Sequence, residues 1–181
     1  TTSSAASDVY KRQGIKRRQE IVGEVGGVTV LDDFAHHPTA VKVTLDALRL
    51  RFGGRRLWAI FEPRSATSRR AIFQQAYAEA FGSADMVVIA PPYDQSRIAP
   101  EERMDAGKLV DDIRAGGGES FLWGGPPEGE EDWDAARSAT AIAAQVVANV
   151  QSEDVVAVLS NGGFGGLHGK LVSGLGERFS D

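Results

Sequence analysis

The chain has 181 residues, 42% hydrophobic and 25% charged, with 20 basic against 25 acidic side chains and a formal net charge of -5. That length and balance suit one globular domain with a sizeable core and exclude a disordered polymer. The acidic balance argues against general nucleic-acid binding, the lack of cysteine excludes disulfides and thiolate zinc sites, and no apolar run approaches a membrane span. A reducing, cytoplasmic setting is compatible with that composition.

Thr1 to Gln13 is rich in Ser, Thr and Ala without sustained periodicity, and is expected to be a linker or a non-native leader, leaving 14–181 as the domain. Two short apolar stretches, 20–25 and 28–31, flank Gly26-Gly27 and predict a hairpin with one antiparallel edge strand. A helix is expected from Pro38 to the residues before Gly53-Gly54, carrying Val41, Val43, Leu45, Leu48 and Leu50. Leu57 to Phe61 reads as a buried strand. Ser65, Thr67 and Ser68 are candidate caps of a helix with a core stripe of Ile72, Phe73, Ala76, Tyr77 and Ala80. Further strands are expected at 85–90, 120–123 and 154–160, and helices at 108–114, 135–150 and 167–175. The acidic, Pro/Gly-rich stretch 124–132 reads as a solvated loop. Strands alternating with helices predict an α/β fold: a Rossmann-like, open, mostly parallel sheet with helices on both faces and an antiparallel edge hairpin.

Four of these strands end in polar or Gly/Pro-rich turns, and in an open parallel sheet such ends share one rim where ligands bind. The first turn holds Asp32, Asp33, His36 and His37. The two carboxylates suit either a cap for the helix at Pro38 or a hydrogen bond to a ribose hydroxyl. The adjacent histidines point apart and lack a third ligand nearby, so a metal site is not expected there. Arg64, after Glu62-Pro63, is either a surface ion pair or a clamp for a carboxylate or phosphate, and its rim position favours the clamp. Asn161 to Gly166 suits an anion site or merely a tight turn. It is neither a P-loop nor a dinucleotide fingerprint, since Phe164, His168 and Leu171 stand where those patterns need other residues.

Four stretches, Gly14-Ile-Lys-Arg-Arg-Gln-Glu20, Asp32-Asp-Phe-Ala-His-His-Pro-Thr39, Phe61-Glu-Pro-Arg-Ser65 and Ser160-Asn-Gly-Gly-Phe-Gly-Gly-Leu-His168, together resemble the C-terminal domain of the Mur ligases. The resemblance runs from Gly14 to about Arg178. Phe34-Ala35 and Glu62-Pro63-Arg64-Ser65 resemble the members that join a murein tripeptide to UDP-N-acetylmuramate in peptidoglycan recycling, rather than those that add free L-alanine. The resemblance implies an ATP-dependent amide ligase of three domains, in which this chain is the closing domain and the P-loop ATPase and UDP-sugar domains lie elsewhere. It implies that Arg18, Asp33 and His36 contact the nucleotide, that Arg64, Ser65, Ser160, Asn161, Gly162 and Gly163 receive the peptide, and that magnesium is held mainly outside this chain. An L-alanine-adding ligase and a non-catalytic α/β module that binds a nucleotide or peptide are the alternatives.

Overall fold

The computed structural model describes residues 17–180. The leader expected over 1–13 lies outside the described residues, as do 14–16 and 181. Glu20–Val25 (β1) and Val28–Asp33 (β2) form the expected antiparallel hairpin, with Gly26 and Gly27 at φ 59° and 80°. A two-residue turn with both φ angles positive carries the right-handed twist of the flanking strands. Packing also excludes a side chain there, because a Cβ at Gly26 would lie 2.3 Å from the Phe179 ring.

Beyond the hairpin the chain alternates Pro38–Phe52 (α1), Leu57–Phe61 (β3), Gln74–Ala80 (α2), Met86–Ile89 (β4), Ala106–Ala115 (α3), Glu119–Leu122 (β5), Ala135–Asn149 (α4), Val155–Leu159 (β6) and Leu167–Phe179 (α5). The strands form one sheet in the order β1-β2-β6-β3-β4-β5, parallel throughout except for β1 with β2. The Rossmann-like α/β architecture is therefore as expected. The last strand in the chain, β6, is inserted between β2 and β3, and both β3 and β6 are buried along their whole length. Strand alternation then supplies two cores. Leu57, Ala59, Phe61, Val155, Ala157 and Leu159 meet Val41, Leu45 and Leu48 of α1, Tyr77 of α2 and Leu109 of α3. Trp58, Ile60, Val156 and Val158 face Ile142 and Val146 of α4 and Leu167, Leu171 and Leu175 of α5.

Two local expectations need correction. Ala71–Phe73 is a 3-10 turn and α2 begins only at Gln74, so Ile72 is 80% exposed and Ala76 also faces solvent; the buried face is Gln74, Tyr77 and Ala80. The change of period from 3.0 to 3.6 rotates Ile72 off the face that a continuous helix would give it. Nor does any side chain cap α2, because Ser65 and Ser68 bond each other in a turn of their own. The helix expected from Pro38 is present as α1, which buries Val41, Thr44, Leu45 and Leu48 and exposes Val43 and Leu50.

At the end of the sheet remote from the rim, the buried carboxylate of Asp154 accepts from Arg56 Nη2 at 2.6 Å, Trp58 Nε1 at 2.9 Å and Gln151 N at 2.9 Å. Truncating it leaves the fully buried indole N–H without its acceptor. Asp154→Ala is expected to destabilise the chain by about 2 to 3 kcal/mol, read in urea as a lower midpoint at unchanged slope. A loss under about 1 kcal/mol would show that the indole finds another acceptor.

Candidate functional site

The carboxyl ends of β2, β6 and β3 lie side by side, because Asp33 and Phe61 both pair with Leu159. Backbone bonds extend the register past the strands: Ser160 N donates to Asp33 O at 3.2 Å and Glu62 N to Leu159 O at 3.1 Å. Asp33, Ser160 and Glu62 are thereby neighbours on one rim.

On the β2 side, Asp33 is buried and both its oxygens are engaged: Ala35 N and Gln19 N each donate at 2.8 Å, and Thr44 Oγ1 adds a contact at 3.4 Å. It ties the segment before β1, the turn after β2 and α1 into one unit. Neither Asp32 nor Asp33 caps α1. His37 does, its Nδ1 accepting from Thr39 N at 3.3 Å while its ring meets Phe73 edge-on. His36 Nδ1 lies 2.9 Å from Phe34 O, and the Tyr77 hydroxyl donates to the His36 carbonyl. Arg18, Asp33, His36 and His37 line one cleft of about 410 Å³, with exposed Arg18 on its edge. The three residues expected on the nucleotide side are thus brought together. A guanidinium over an open cleft also suits an anionic phosphate group.

On the β3 side, Glu62 is 3% exposed and accepts from Ser160 Oγ at 2.8 Å, with Arg64 Nη1 3.8 Å away. Burial raises its carboxyl above the ordinary value of 4.5, against the opposing pull of the Ser160 hydroxyl and of Arg64 and Arg17. Arg64 lies over the Tyr93 ring, 3.8 Å from its centroid, and its Cδ packs so closely on Gly162 that a Cβ there would approach to 2.4 Å. The guanidinium is therefore confined by an aromatic face and a bare backbone rather than left as a mobile surface charge. Ser65 is differently placed: its hydroxyl is spent on the turn with Ser68.

The last helix, α5, begins at Leu167 as expected. Phe164, Gly165 and Gly166 have φ of 44°, 57° and 75° and form a 3-10 turn that separates Asn161 to Gly163 from the helix's first turn. Buried Phe164 anchors this path, and a Cβ at Gly165 would meet the Ala135 carbonyl at 2.2 Å. The Asn161 side-chain oxygen is buried without a hydrogen-bond partner among the described residues. Among those residues no group of three or more His, Cys, Asp or Glu side chains is gathered as a metal site.

Arg17, Tyr93 and His168 were not identified as site residues from sequence. Arg17 Nε donates to Asp32 Oδ2 at 3.0 Å, and His168 Nε2 lies 3.0 Å from Asp32 Oδ1. Arg17 and His168 both lie inside stretches that carry the resemblance, 14–20 and 160–168, but no role was assigned to either. Tyr93 follows Pro91-Pro92 in the turn after β4, and its backbone N–H donates to Pro63 O at 2.9 Å, which sets its ring beneath Arg64.

The pattern of the family described as "Mur ligase, glutamate ligase domain" matches residues 17–162. The chain belongs to the Mur ligase family. Among curated relatives of this Mur ligase domain, the UDP-N-acetylmuramate–L-alanyl-gamma-D-glutamyl-meso-2,6-diaminoheptandioate ligase of Escherichia coli K12 is 38% identical over 164 residues, 90% of this chain and 31% of that protein. A UDP-N-acetylmuramate–L-alanine ligase of a Synechococcus strain is 47% identical, but over 96 residues, 53% of this chain and 20% of that protein. The crystal structure of a murein peptide ligase from Psychrobacter arcticus superposes with a TM-score of 0.71 at 30% identity, covering 98% of this chain and 34% of the other. The chain spans about a third of the length of the first of these relatives.

The raised carboxyl of Glu62 has a measurable consequence. The folded protein holds that proton more tightly than the unfolded chain, so the associated stability is present below about pH 4.5 and is lost as pH rises through the elevated folded value. Glu62→Gln keeps an acceptor for Ser160 without the charge. It is expected to be more stable than wild type in urea at pH 7, with the advantage vanishing near pH 4. An equal difference at both values would show that Glu62 ionises as it does in water.

Proposed function

We propose that this chain is the C-terminal, closing domain of an ATP-dependent ligase that joins the lactyl carboxylate of UDP-N-acetylmuramate to the amine of a murein tripeptide, in the cytoplasm and in the service of peptidoglycan recycling. The observation that carries this reading is the confined Arg64, set on the same rim as the Arg18–Asp33–His36 cleft but on its far side. Its support from relatives is the match, over 90% of this chain and 31% of the other, to a ligase named for a diaminoheptandioate-bearing peptide.

The reaction activates the carboxylate with the γ-phosphoryl group of ATP; the peptide amine then attacks the acyl phosphate, an amide C–N bond forms, and phosphate leaves with the acyl C–O bond cleaved. ATP with its magnesium ion supplies the phosphoryl group. In this chain, Arg18 stands where it can meet the nucleotide's phosphates, and His36 frames the same cleft. Asp33 acts through Gln19 and Ala35, holding Arg18's neighbour in place. Arg64 presents a planar fork to a peptide carboxylate, while Ser160 and Asn161 to Gly163 form the adjoining wall. Ser65 stiffens the turn that carries Arg64. The magnesium ligands and the P-loop belong to the preceding domains, so the isolated chain is expected to hydrolyse no ATP.

The local 47% identity to an L-alanine ligase favours a second reading, in which the acceptor is free L-alanine. A panel of L-alanine and the tripeptide with the complete enzyme separates the two.

Arg64→Lys keeps the charge and loses both the fork and the stack. In the complete enzyme it is expected to raise the KM for tripeptide about ten- to a hundredfold, corresponding to about 1.5 to 3 kcal/mol, with the KM for ATP nearly unchanged. If the ATP constant rises and the peptide constant does not, Arg64 serves the nucleotide. Asp33→Ala is expected to do the reverse, impairing ATP use far more than peptide use; steady-state constants for both substrates check this.

A further inference from the structure

Arg17 makes more contacts across the rim than the ligand-facing arginines described above. Its Nε reaches Asp32 at 3.0 Å, and its Nη2 donates to the carbonyls of Ser160 at 2.7 Å and Gly162 at 2.8 Å. Asp32 is braced from the other side by His168 in the first turn of α5, at 3.0 Å. Arg17 and Gln19 have φ of 66° and 45°, a left-handed backbone unusual for such residues, which persists only where surroundings impose it. Here those surroundings are Glu20, which accepts from Arg17 N at 3.0 Å, Phe34, which donates to Arg17 O at 2.7 Å, and Asp33, which accepts from Gln19 N.

In a trans peptide the C=O of one residue and the N–H of the next point in opposite directions. With the Ser160 and Gly162 carbonyls turned onto Arg17, the N–H groups of Asn161 and Gly163 are turned away from it. The N–H between them, that of Gly162, is taken by Ser160 Oγ at 3.0 Å. Among the described residues, neither the Asn161 nor the Gly163 N–H donates to an acceptor of the chain. Beside them lies the buried, unpartnered oxygen of Asn161. Two free donors and one acceptor on a loop that packs on Arg64 match what a carboxylate-bearing amine or peptide presents.

We propose that Arg17 is the positioning residue of the Ser160–Gly163 loop: by holding two of its carbonyls, it presents the Asn161 and Gly163 N–H groups to the carboxylate of the incoming acceptor. Asp32 and His168 aim Arg17 and take no direct part in binding. This rests on reading the loop as the acceptor's side of the site.

The test uses the complete enzyme and whichever amine acceptor, tripeptide or L-alanine, the wild type consumes, so that a wrong choice of acceptor above does not decide it. Lysine at position 17 cannot reach Asp32 and two carbonyls together. Arg17→Lys is expected to raise the acceptor KM about tenfold while the KM for ATP stays within about twofold. Asp32→Asn is expected to act in the same direction, and the double variant to match the worse single one instead of multiplying the two effects. Should Arg17→Lys fail to fold, Asp32→Asn and His168→Gln carry the measurement. A lower melting temperature with unaltered KM values would make Arg17 merely structural and overturn the proposal; so would a parallel rise in both constants. An Arg64→Lys effect without an Arg17→Lys effect would leave the acceptor site standing and refute the positioning role alone.

Discussion

The register that pairs Leu159 with Asp33 on one side and with Phe61 on the other brings three parallel strands to a stop at one level. Asp33, His36, Arg64 and the Ser160–Gly163 loop hang from that arrangement. One more residue of β6 before the turn would move Ser160 to the opposite face of the sheet and separate it from Glu62, since side chains alternate along a strand. The register is in turn set by burial: β3 and β6 are covered on both faces, so a slip would exchange the two cores residue for residue and place Trp58 where Ala59 now fits. Core packing at the sheet's centre thus fixes a polar constellation at its edge.

That constellation is costly to bury and is stabilised by mutual satisfaction. Asp32 and Asp33 are adjacent carboxylates, both largely removed from water, yet each has its own set of donors: Arg17 and His168 for one, backbone N–H groups and Thr44 for the other. Glu62, with a hydroxyl and two guanidinium groups that do not hydrogen-bond it, is the under-compensated member, and its raised carboxyl is the physical expression of that shortfall. Its position beneath Ser160 ties this strained charge to the loop that follows β6.

The layered fold was legible in the sequence because β3, β4 and β6 are unbroken apolar runs ending in turn residues, and because Gly26-Gly27 marks its hairpin without ambiguity. The insertion of β6 between β2 and β3 was not legible, since no local periodicity records which strands become neighbours. At the site, Arg64 and the Asp32–Asp33 pair could be singled out by their place at strand ends, whereas the choice of Asp33 over Asp32, of His36 and of Arg18 over Arg17 rested on the resemblance to the Mur ligases. Local pattern treats adjacent arginines as equivalent, and it is the left-handed backbone at Arg17 that turns one inward and leaves the other at the cleft. His37 as the cap of α1 was missed because Asp is the commoner capping residue, and both aspartates were already committed to other donors. Ile72 was misplaced because a 3-10 turn is invisible to a pattern read at 3.6 residues per turn.

Three arginines therefore divide the rim by what stands behind them. Arg18 has open space and can follow a ligand. Arg64 is backed by an aromatic ring and a glycine, which leaves its fork aligned but its far edge accessible. Arg17 is backed by a carboxylate and faces two carbonyls, so its hydrogen-bonding capacity is directed at the protein itself. Because Arg17 and Arg18 are consecutive, the backbone turn that points Arg17 at the loop after β6 is the same turn that leaves Arg18 at the cleft. The two sides of the rim therefore meet at one peptide unit.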